Sequence, residues 1–354
     1  MNQNIILSTD YHDQNCVVRW FDEANGKEQV HKVATDAKQL SDLVTRAEAV
    51  VKPRGARVVW IQESTTGWAR VEALLGRRVV FHLANVLQMP LPPKARRRKT
   101  DKIDTARLQR EYRNGELPLA HRPPAWWRQV RRLVALRENL VSRRTALRNW
   151  LTRYLAHETW EDRSGLWSQK GRARWQKLAA TAPRWDRLVC ETKLEELDRL
   201  EERLDQVQTA MHDVFKQWPQ AQRLDGIHGI GVIAATSIVA RIGPIGRFEC
   251  PEQLIAYAGL APGVQQSDET RRHGRIGGGG TDRHLRHYLI EATVWARHIP
   301  RYKGAYERTS KRRGNKIGRL VVARMLLRSI WRMLRKGEAF TPTASKQTRE
   351  KQIN

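Results

Sequence analysis

The first 115 or so residues alternate between short apolar runs and amphipathic stretches. Ile5–Thr9, Cys16–Phe21 and Gln29–Val33 read as a three-strand meander, with Asn25-Gly26 as the turn signal between the second and third. Asp36 stands where an N-cap belongs, ahead of Leu40, Leu43, Val44 and Ala47 at helical spacing. Val58–Gln62 is a strand of the buried type, Thr66–Leu75 a helix and Val79–Leu83 another strand. Thr100–Tyr112 then reads as a helix, with Ile103, Ala106 and Leu108 for its inner side. That order predicts a mixed sheet with helices packed against it.

Pro90–Pro93 interrupts regular structure, and Pro118, Pro123 and Pro124 close this α/β domain, giving bounds of 1–118. A helical region follows over 119–220. Val130, Leu133, Val134, Leu140, Val141, Leu147 and Leu151 keep near-heptad spacing, and Leu197, Leu200, Leu204, Val207, Met211 and Val214 form a cleaner stripe. Two such helices can form an antiparallel hairpin or a coiled coil with another chain. The pattern assigns no role to the tryptophan-rich connection between them (Trp160, Trp167, Trp175, Trp185). Residues 221–340 read as a helix-rich basic domain, and 341–354 as a polar tail expected to be disordered.

Charge narrows the partners. The 354 residues carry 65 Lys and Arg against 37 Asp and Glu, a formal net charge of +28. Between Arg271 and Lys336 there are 19 Lys and Arg against three acids, so over half of the excess lies in one segment. Such a field attracts a polyanion, and nucleic acid is the expected partner. No apolar stretch approaches the roughly 20 residues of a membrane span, and no basic-then-apolar leader opens the chain. Three scattered cysteines without a CxxC pair suit a reducing cytoplasm and leave no zinc site.

Four carboxylates stand where a metal-dependent nuclease would need them. Asp10 follows the first strand's apolar run and Glu63 the run Val58-Val-Trp-Ile61. Asp101 and Asp104 follow the basic run Lys94-Ala-Arg96-Arg97-Arg98-Lys99. Two strand ends and a helix start can gather such acids, whose repulsion calls for a hard divalent cation, Mg²⁺ or Mn²⁺. Taken singly, each acid also reads as a surface cap or salt-bridge partner. Asp13 is a further candidate ligand.

Leu224-Asp-Gly-Ile-His-Gly229-Ile-Gly231 has the pattern of a helix-hairpin-helix element, whose turn could offer N–H groups to a phosphate. Further on, a polar loop holds one serine, Ser267, followed by Arg271, Arg272 and Arg275. A hydroxyl deprotonated by a base or metal, with arginines to hold phosphate, is a candidate nucleophile; alone, a loop serine is a turn residue. After four glycines, Arg283, His284 and Arg286 are expected to open a basic helix. Lys94, Arg96, Arg97, Arg98, Lys99, Arg271, Arg272, Arg275, Arg283, His284 and Arg286, with Gly229 and Gly231, form the expected nucleic-acid surface.

The order Asp10 … Glu63 … Lys99-Thr-Asp101-Lys-Ile-Asp104-Thr-Ala resembles the RuvC-like catalytic domain of IS110-type insertion-sequence transposases. The runs Gly226-Ile-His-Gly-Ile-Gly231, Ile242-Gly-Pro-Ile-Gly-Arg-Phe248, Tyr257-Ala-Gly-Leu-Ala-Pro262 and Arg283-His-Leu-Arg286 are similar to their C-terminal domain. The resemblance implies an RNase H-like (RuvC-like) α/β domain, a helical coiled-coil middle and an all-α C-terminal domain. It implies that Asp10, Glu63, Asp101 and Asp104 hold Mg²⁺ (or Mn²⁺), and that Ser267 forms a covalent link to DNA.

It further implies a structured bridge RNA that pairs with donor and target DNA, and a dimer or tetramer whose subunits share acids and serine. The setting would be a prokaryotic cytoplasm, at the nucleoid. The sequence departs from the family's pattern in having a single serine beside Asp268 and Glu269, and Tyr11-His-Asp-Gln14 after the first acid. Two alternatives stand beside this reading: a RuvC-like junction-resolving endonuclease that uses water instead of serine, and a non-catalytic nucleic-acid-binding protein.

Overall fold

The computed structural model describes residues 3–89, 101–157, 165–261, 264–267, 270–273 and 281–343, with backbone alone at 101–103, 155–157, 264–267 and 270–273. The chain divides into two compact units, Met1–Arg122 and Pro123–Asn354.

The first unit is built on a five-stranded sheet: β1 (Ile5–Tyr11), β2 (Asn15–Asp22), β3 (Glu28–Ala34), β4 (Val58–Glu63) and β5 (Val79–Ala84), in the order β3-β2-β1-β4-β5. β1, β2 and β3 pair antiparallel, whereas β4 pairs parallel with both β1 and β5. The mixed sheet expected from the sequence is therefore present.

Apolar runs mark β1 and β4 because both are covered on two faces. Ile5, Leu7, Val58 and Trp60 pack with Leu40, Leu43, Val44 and Ala47 of α1 (Ala37–Val51) and Val71 and Leu75 of α2 (Trp68–Leu75). Ile6, Val59 and Ile61 pack on the opposite face with Leu108 of α3 (Asp101–Arg113). Asp36 caps α1 as expected, accepting from Gln39 N at 2.8 Å. α2 begins later than its pattern suggests, because Gly67 takes a φ of 89° and ends the preceding turn. The Tyr11 ring fills the space where a side chain at Gly67 would begin, and β1 extends to Tyr11 through its pairing with Cys16 of β2.

The second unit contains α4 (Ala125–His157), α5 (Gln169–Thr181), α6 (Arg184–Lys216), α7 (Pro219–Asp225), α8 (Val232–Ile242) and α9 (Pro251–Tyr257). A hairpin of β6 (Val264–Ser267) and β7 (Thr270–His273) follows, then α10 (Arg283–Ala296), α11 (Pro300–Arg313) and α12 (Asn315–Lys336). One apolar cluster joins Val130 of α4 to Leu334 of α12.

The stripe Leu197, Leu200, Leu204, Val207 and Met211 is buried in that cluster with Leu140, Leu147 and Leu151. Lys193 meets Trp150 and Arg148 pairs with Glu201, so α6 ascends as α4 descends, in an antiparallel hairpin. Trp175 lies in the same core, 6.0 Å from Trp167, whereas Trp185 is 67% exposed. No helix of the described residues is long and apolar enough to cross a membrane.

Candidate active site

In the first unit, Thr9 of β1 stands opposite Gln62 of β4, so the next residues lie at one level, Glu63 ending β4 and Asp10 one residue before the end of β1. Side chains alternate along a strand, which puts Asp10 with Ile6 and Glu63 with Ile61, on the face that α3 covers. Asp104 is half-buried on α3, four positions before the core residue Leu108. Asp101 is the first residue of that helix, one turn earlier. The fold thus assigns the candidate acids to one sheet face and its covering helix.

Among the described residues no three His, Cys, Asp or Glu side chains meet closely enough to hold an ion. The donor set is nevertheless all oxygen, which suits a hard divalent cation rather than a thiophilic one. Beside it, the fully buried Ser8 hydroxyl, on the same strand face as Asp10, has no hydrogen-bond partner among the described residues.

Asp10 is only 14% exposed and meets His12 Nε2 at 3.3 Å. Its field reaches the neighbouring strand. Burial pushes the Cys16 thiol up to about 11, against a Thr35 hydrogen bond that lowers it, and the Asp10 charge adds to the rise. Asp13 lies exposed in the turn after β1.

Sequence reasoning missed the struts that seat α3. Arg19 of β2 donates to Thr105 Oγ1 at 3.4 Å and pairs with Glu28 of β3, which also accepts from Gln109 at 3.3 Å. Burial lowers the Arg19 pKa, yet the pairing keeps this cation beside the acidic face. The available signal was the inward spacing of Thr105, Leu108, Gln109 and Tyr112.

In the second unit Ser267 ends β6 in a tight hairpin, paired in register with Thr270. Arg271 and Arg272 lie on β7, opposite Gln266 and Gln265. Lys94, Arg96, Arg97, Arg98, Lys99 and Arg275 lie outside the described residues.

The stems of the serine segment are joined, since Asp282 N donates to Tyr257 O at 2.8 Å. Arg286 donates to Gly259 O at 3.3 Å, and His284 Nδ1 lies 3.2 Å from Glu138, so both expected DNA contacts have partners inside the protein. Burial lowers the His284 pKa, while Glu138 pulls it the other way. Arg283 Nε meets His284 Nε2 at 3.3 Å.

α7 and α8 flank the Gly229–Gly231 turn as a helical hairpin. Gly229 has a φ of 96°, and a Cβ there would stand 2.8 Å from Ala292 O, so this glycine serves the approach of α10. Gly231 is exposed at the start of α8 with open space around it.

Two family models match the chain. One, described as "Transposase" and specific to the DEDD domain of IS110-type elements, covers residues 8–158; the other, described as "Transposase IS116/IS110/IS902 family", covers 221–309. The chain belongs to the IS110 family of transposases. It is similar to "Putative transposase y4qE" of Sinorhizobium fredii, 28% identical over 214 residues, 57% of this chain and 49% of that one. It is also similar to the transposase for insertion sequence element IS1111A of Coxiella burnetii, 28% identical over 179 residues, 48% of this chain and 47% of that one. The matched part spans about half the length of these curated relatives.

Proposed function

We propose that this chain cleaves and rejoins DNA strands as the transposase of an insertion sequence, through a serine nucleophile and under the guidance of a structured RNA. The observation that carries the reading is the common level of Asp10 and Glu63 at two parallel strand ends, on the face covered by the helix of Asp101 and Asp104. The sheet order, three antiparallel strands followed by two parallel ones, supports an RNase H-like first unit.

Asp10, Glu63, Asp101 and Asp104 are the residues that would hold Mg²⁺ or Mn²⁺. Such an ion supplies acidity to a nearby hydroxyl and charge stabilisation to a departing oxygen. Ser267 Oγ attacks the phosphorus of a DNA diester. The bond to one deoxyribose oxygen breaks, that oxygen takes up a proton, and a phosphoserine ester keeps the bond energy. Attack by a second DNA hydroxyl on the ester returns the serine and completes strand exchange without an external energy source. Arg272, which shares a hairpin face with Ser267, is suited to hold the diester's negative charge, and Arg271 adds positive charge from the other face. Donor and target DNA are the proposed substrates. The net charge of +28 suits a bound RNA as well as DNA. A dimer or tetramer is the proposed working form.

The deciding experiment incubates wild type, Ser267→Ala and Asp104→Asn with labelled donor DNA and the RNA that co-purifies with the chain. Denaturing gels should show a protein–DNA adduct for wild type alone, with DNA binding kept in all three. An adduct in Ser267→Ala would remove the serine assignment. Cleavage by Ser267→Ala but not by Asp104→Asn would favour a junction-resolving nuclease that uses water.

A further inference from the structure

α11 and α12 meet at an exposed corner. Lys311, Arg312 and Arg313 end α11, Gly314 turns the chain with a φ of 85°, and Asn315 and Lys316 open α12. Positions 311 to 317 are all exposed, as is Arg308 one turn earlier. Five cations therefore crowd around a single turn: Arg308, Lys311, Arg312, Arg313 and Lys316. Glu307, next to Arg308 in the chain, pairs with Lys303 at 4.0 Å, and Glu291 of α10 pairs with Arg319 at 3.7 Å. None of the five has an ion-pair partner among the described residues.

Stability does not account for this arrangement. Cations at the end of α11 agree with that helix's dipole. Lys316 opposes the dipole of α12, whose first turn carries no acid and already presents the positive end of the helix. Arg308 also lies one turn from both Lys311 and Arg312, where like charges repel. The free chain bears this repulsion, and an anion would relieve it.

The corner is also tied by hydrogen bonds and close packing. Gly314 N donates to Ser310 O at 2.9 Å, and Gly318 N to Gly314 O at 3.1 Å. Ser310 and Tyr306 pack against the bare Cα of Gly318, where a Cβ would come within 3.0 Å of the tyrosine ring. Arg319 ties α12 to α10, donating to Thr293 Oγ1 at 3.0 Å and Ile290 O at 2.9 Å. The backbone that carries these cations therefore needs little rearrangement on binding, and the ordering cost falls on their side chains.

We propose that this corner is a binding site for the backbone phosphates of duplex DNA, additional to the Ser267 hairpin and the Gly229–Gly231 turn. The proposal rests on the reading of the chain as a DNA transposase, whose duplex must be gripped away from the reacting phosphate. Backbone phosphates offer a row of anions to a fixed group of cations, and the exposed N–H groups at the start of α12 add donors.

The test uses the full chain with all five cations changed to Gln. The control changes five exposed cations of the first unit (Lys27, Lys32, Lys38, Arg46 and Lys52) to Gln. Affinity for a random-sequence DNA duplex and for an RNA duplex of equal length is measured by anisotropy across a salt series. The corner variant should bind DNA at least tenfold more weakly. Its slope of log affinity against log salt should be shallower by about 4, from about 0.9 per lost phosphate contact. The control should lose less on both counts.

Equal losses in corner variant and control would overturn the site, and so would a loss confined to the RNA duplex. Wild type that fails to bind DNA would sink the transposase reading together with the site, whereas an unaffected corner variant would sink the site alone. Lys316→Glu separates binding from folding, because an acid in the first turn of α12 should raise the thermal midpoint while DNA affinity falls. A lowered midpoint with unchanged affinity would overturn the proposal.

Discussion

Arg241 holds Asp282 through both carboxylate oxygens, each at 3.1 Å, while its remaining nitrogens meet Glu138. Burial works to lower the Arg241 pKa, but the two carboxylates outweigh it and hold the guanidinium above its ordinary value. Asp282 meanwhile caps α10, accepting from His284 N at 3.0 Å and Leu285 N at 2.9 Å. One arginine therefore joins α4, α8 and the stem from which the Ser267 segment departs. Arg241→Ala would leave two carboxylates that are 12% and 13% exposed without their cation. The expected cost is about 3 kcal/mol, read by urea unfolding of the full chain. The triple variant Arg241→Ala, Glu138→Gln, Asp282→Asn should regain part of that loss. A cost below about 1 kcal/mol would show that the network is not a stabilising centre.

Gly229 and Gly231 are two positions apart and should respond in opposite ways. At Gly229 a side chain would need a φ of 96° and would press on Ala292 O and Trp295 Cβ, both within 2.9 Å. Gly229→Ala is expected to destabilise by about 2 to 4 kcal/mol, combining backbone strain with overpacking. Gly231 has a φ of −87° and open space, so Gly231→Ala should stay within about 1 kcal/mol of wild type. If the turn also meets phosphate, Gly231→Ala should fold normally yet bind DNA more weakly. Comparable melting losses for the two variants would contradict the packing argument.

What could be read from the sequence follows from burial. β1 and β4 are enclosed on both faces and so show the apolar runs Ile5-Ile-Leu7 and Val58-Val-Trp-Ile61, with Asp10 and Glu63 shortly after them. The stripe on α6 was equally legible, but its partner was not. A heptad face looks the same whether it meets another chain or α4, and here it packs on α4. Ties such as Arg19 to Thr105 join positions 86 residues apart and leave no local periodicity. The neck around Arg241 was hidden for the same reason, since Glu138, Arg241 and Asp282 come from three distant segments. Basic residues were visible as charge alone, which did not separate His284, turned toward Glu138, from the exposed group around Gly314.

Neutralising Asp104 should uncouple the first unit from divalent cations. If the gathered acids bind Mg²⁺ or Mn²⁺, either ion should raise the thermal midpoint of wild type. At a hundredfold excess over the dissociation constant the gain approaches about 3 kcal/mol. Asp104→Asn should lose most of that response while folding at least as well without metal, because one negative charge is gone. The measurement is a melt with and without each ion, Ca²⁺ serving as a further comparison. Equal midpoint shifts in wild type and variant would mean that the ion acts elsewhere.

Cys16 links the acidic face to alkaline stability. Its thiol is raised from 9.0 to about 11 in the folded chain, first by burial, with Thr35 opposing and the Asp10 charge adding. The folded state therefore keeps a proton that the unfolded chain releases. The resulting contribution is fully present below pH 9, the unfolded value, and is lost as pH rises through about 11. A difference of two units corresponds to about 3 kcal/mol at most. Urea midpoints of the full chain should decline across that window, and Cys16→Ala, though less stable at neutral pH because of its cavity, should show a shallower decline. The buried thiol should also react with iodoacetamide far more slowly than Cys250, which is partly exposed. An identical alkaline decline in Cys16→Ala would assign the effect to other groups, and rapid alkylation of Cys16 would show that β1 and β2 open readily at their Asp10 end.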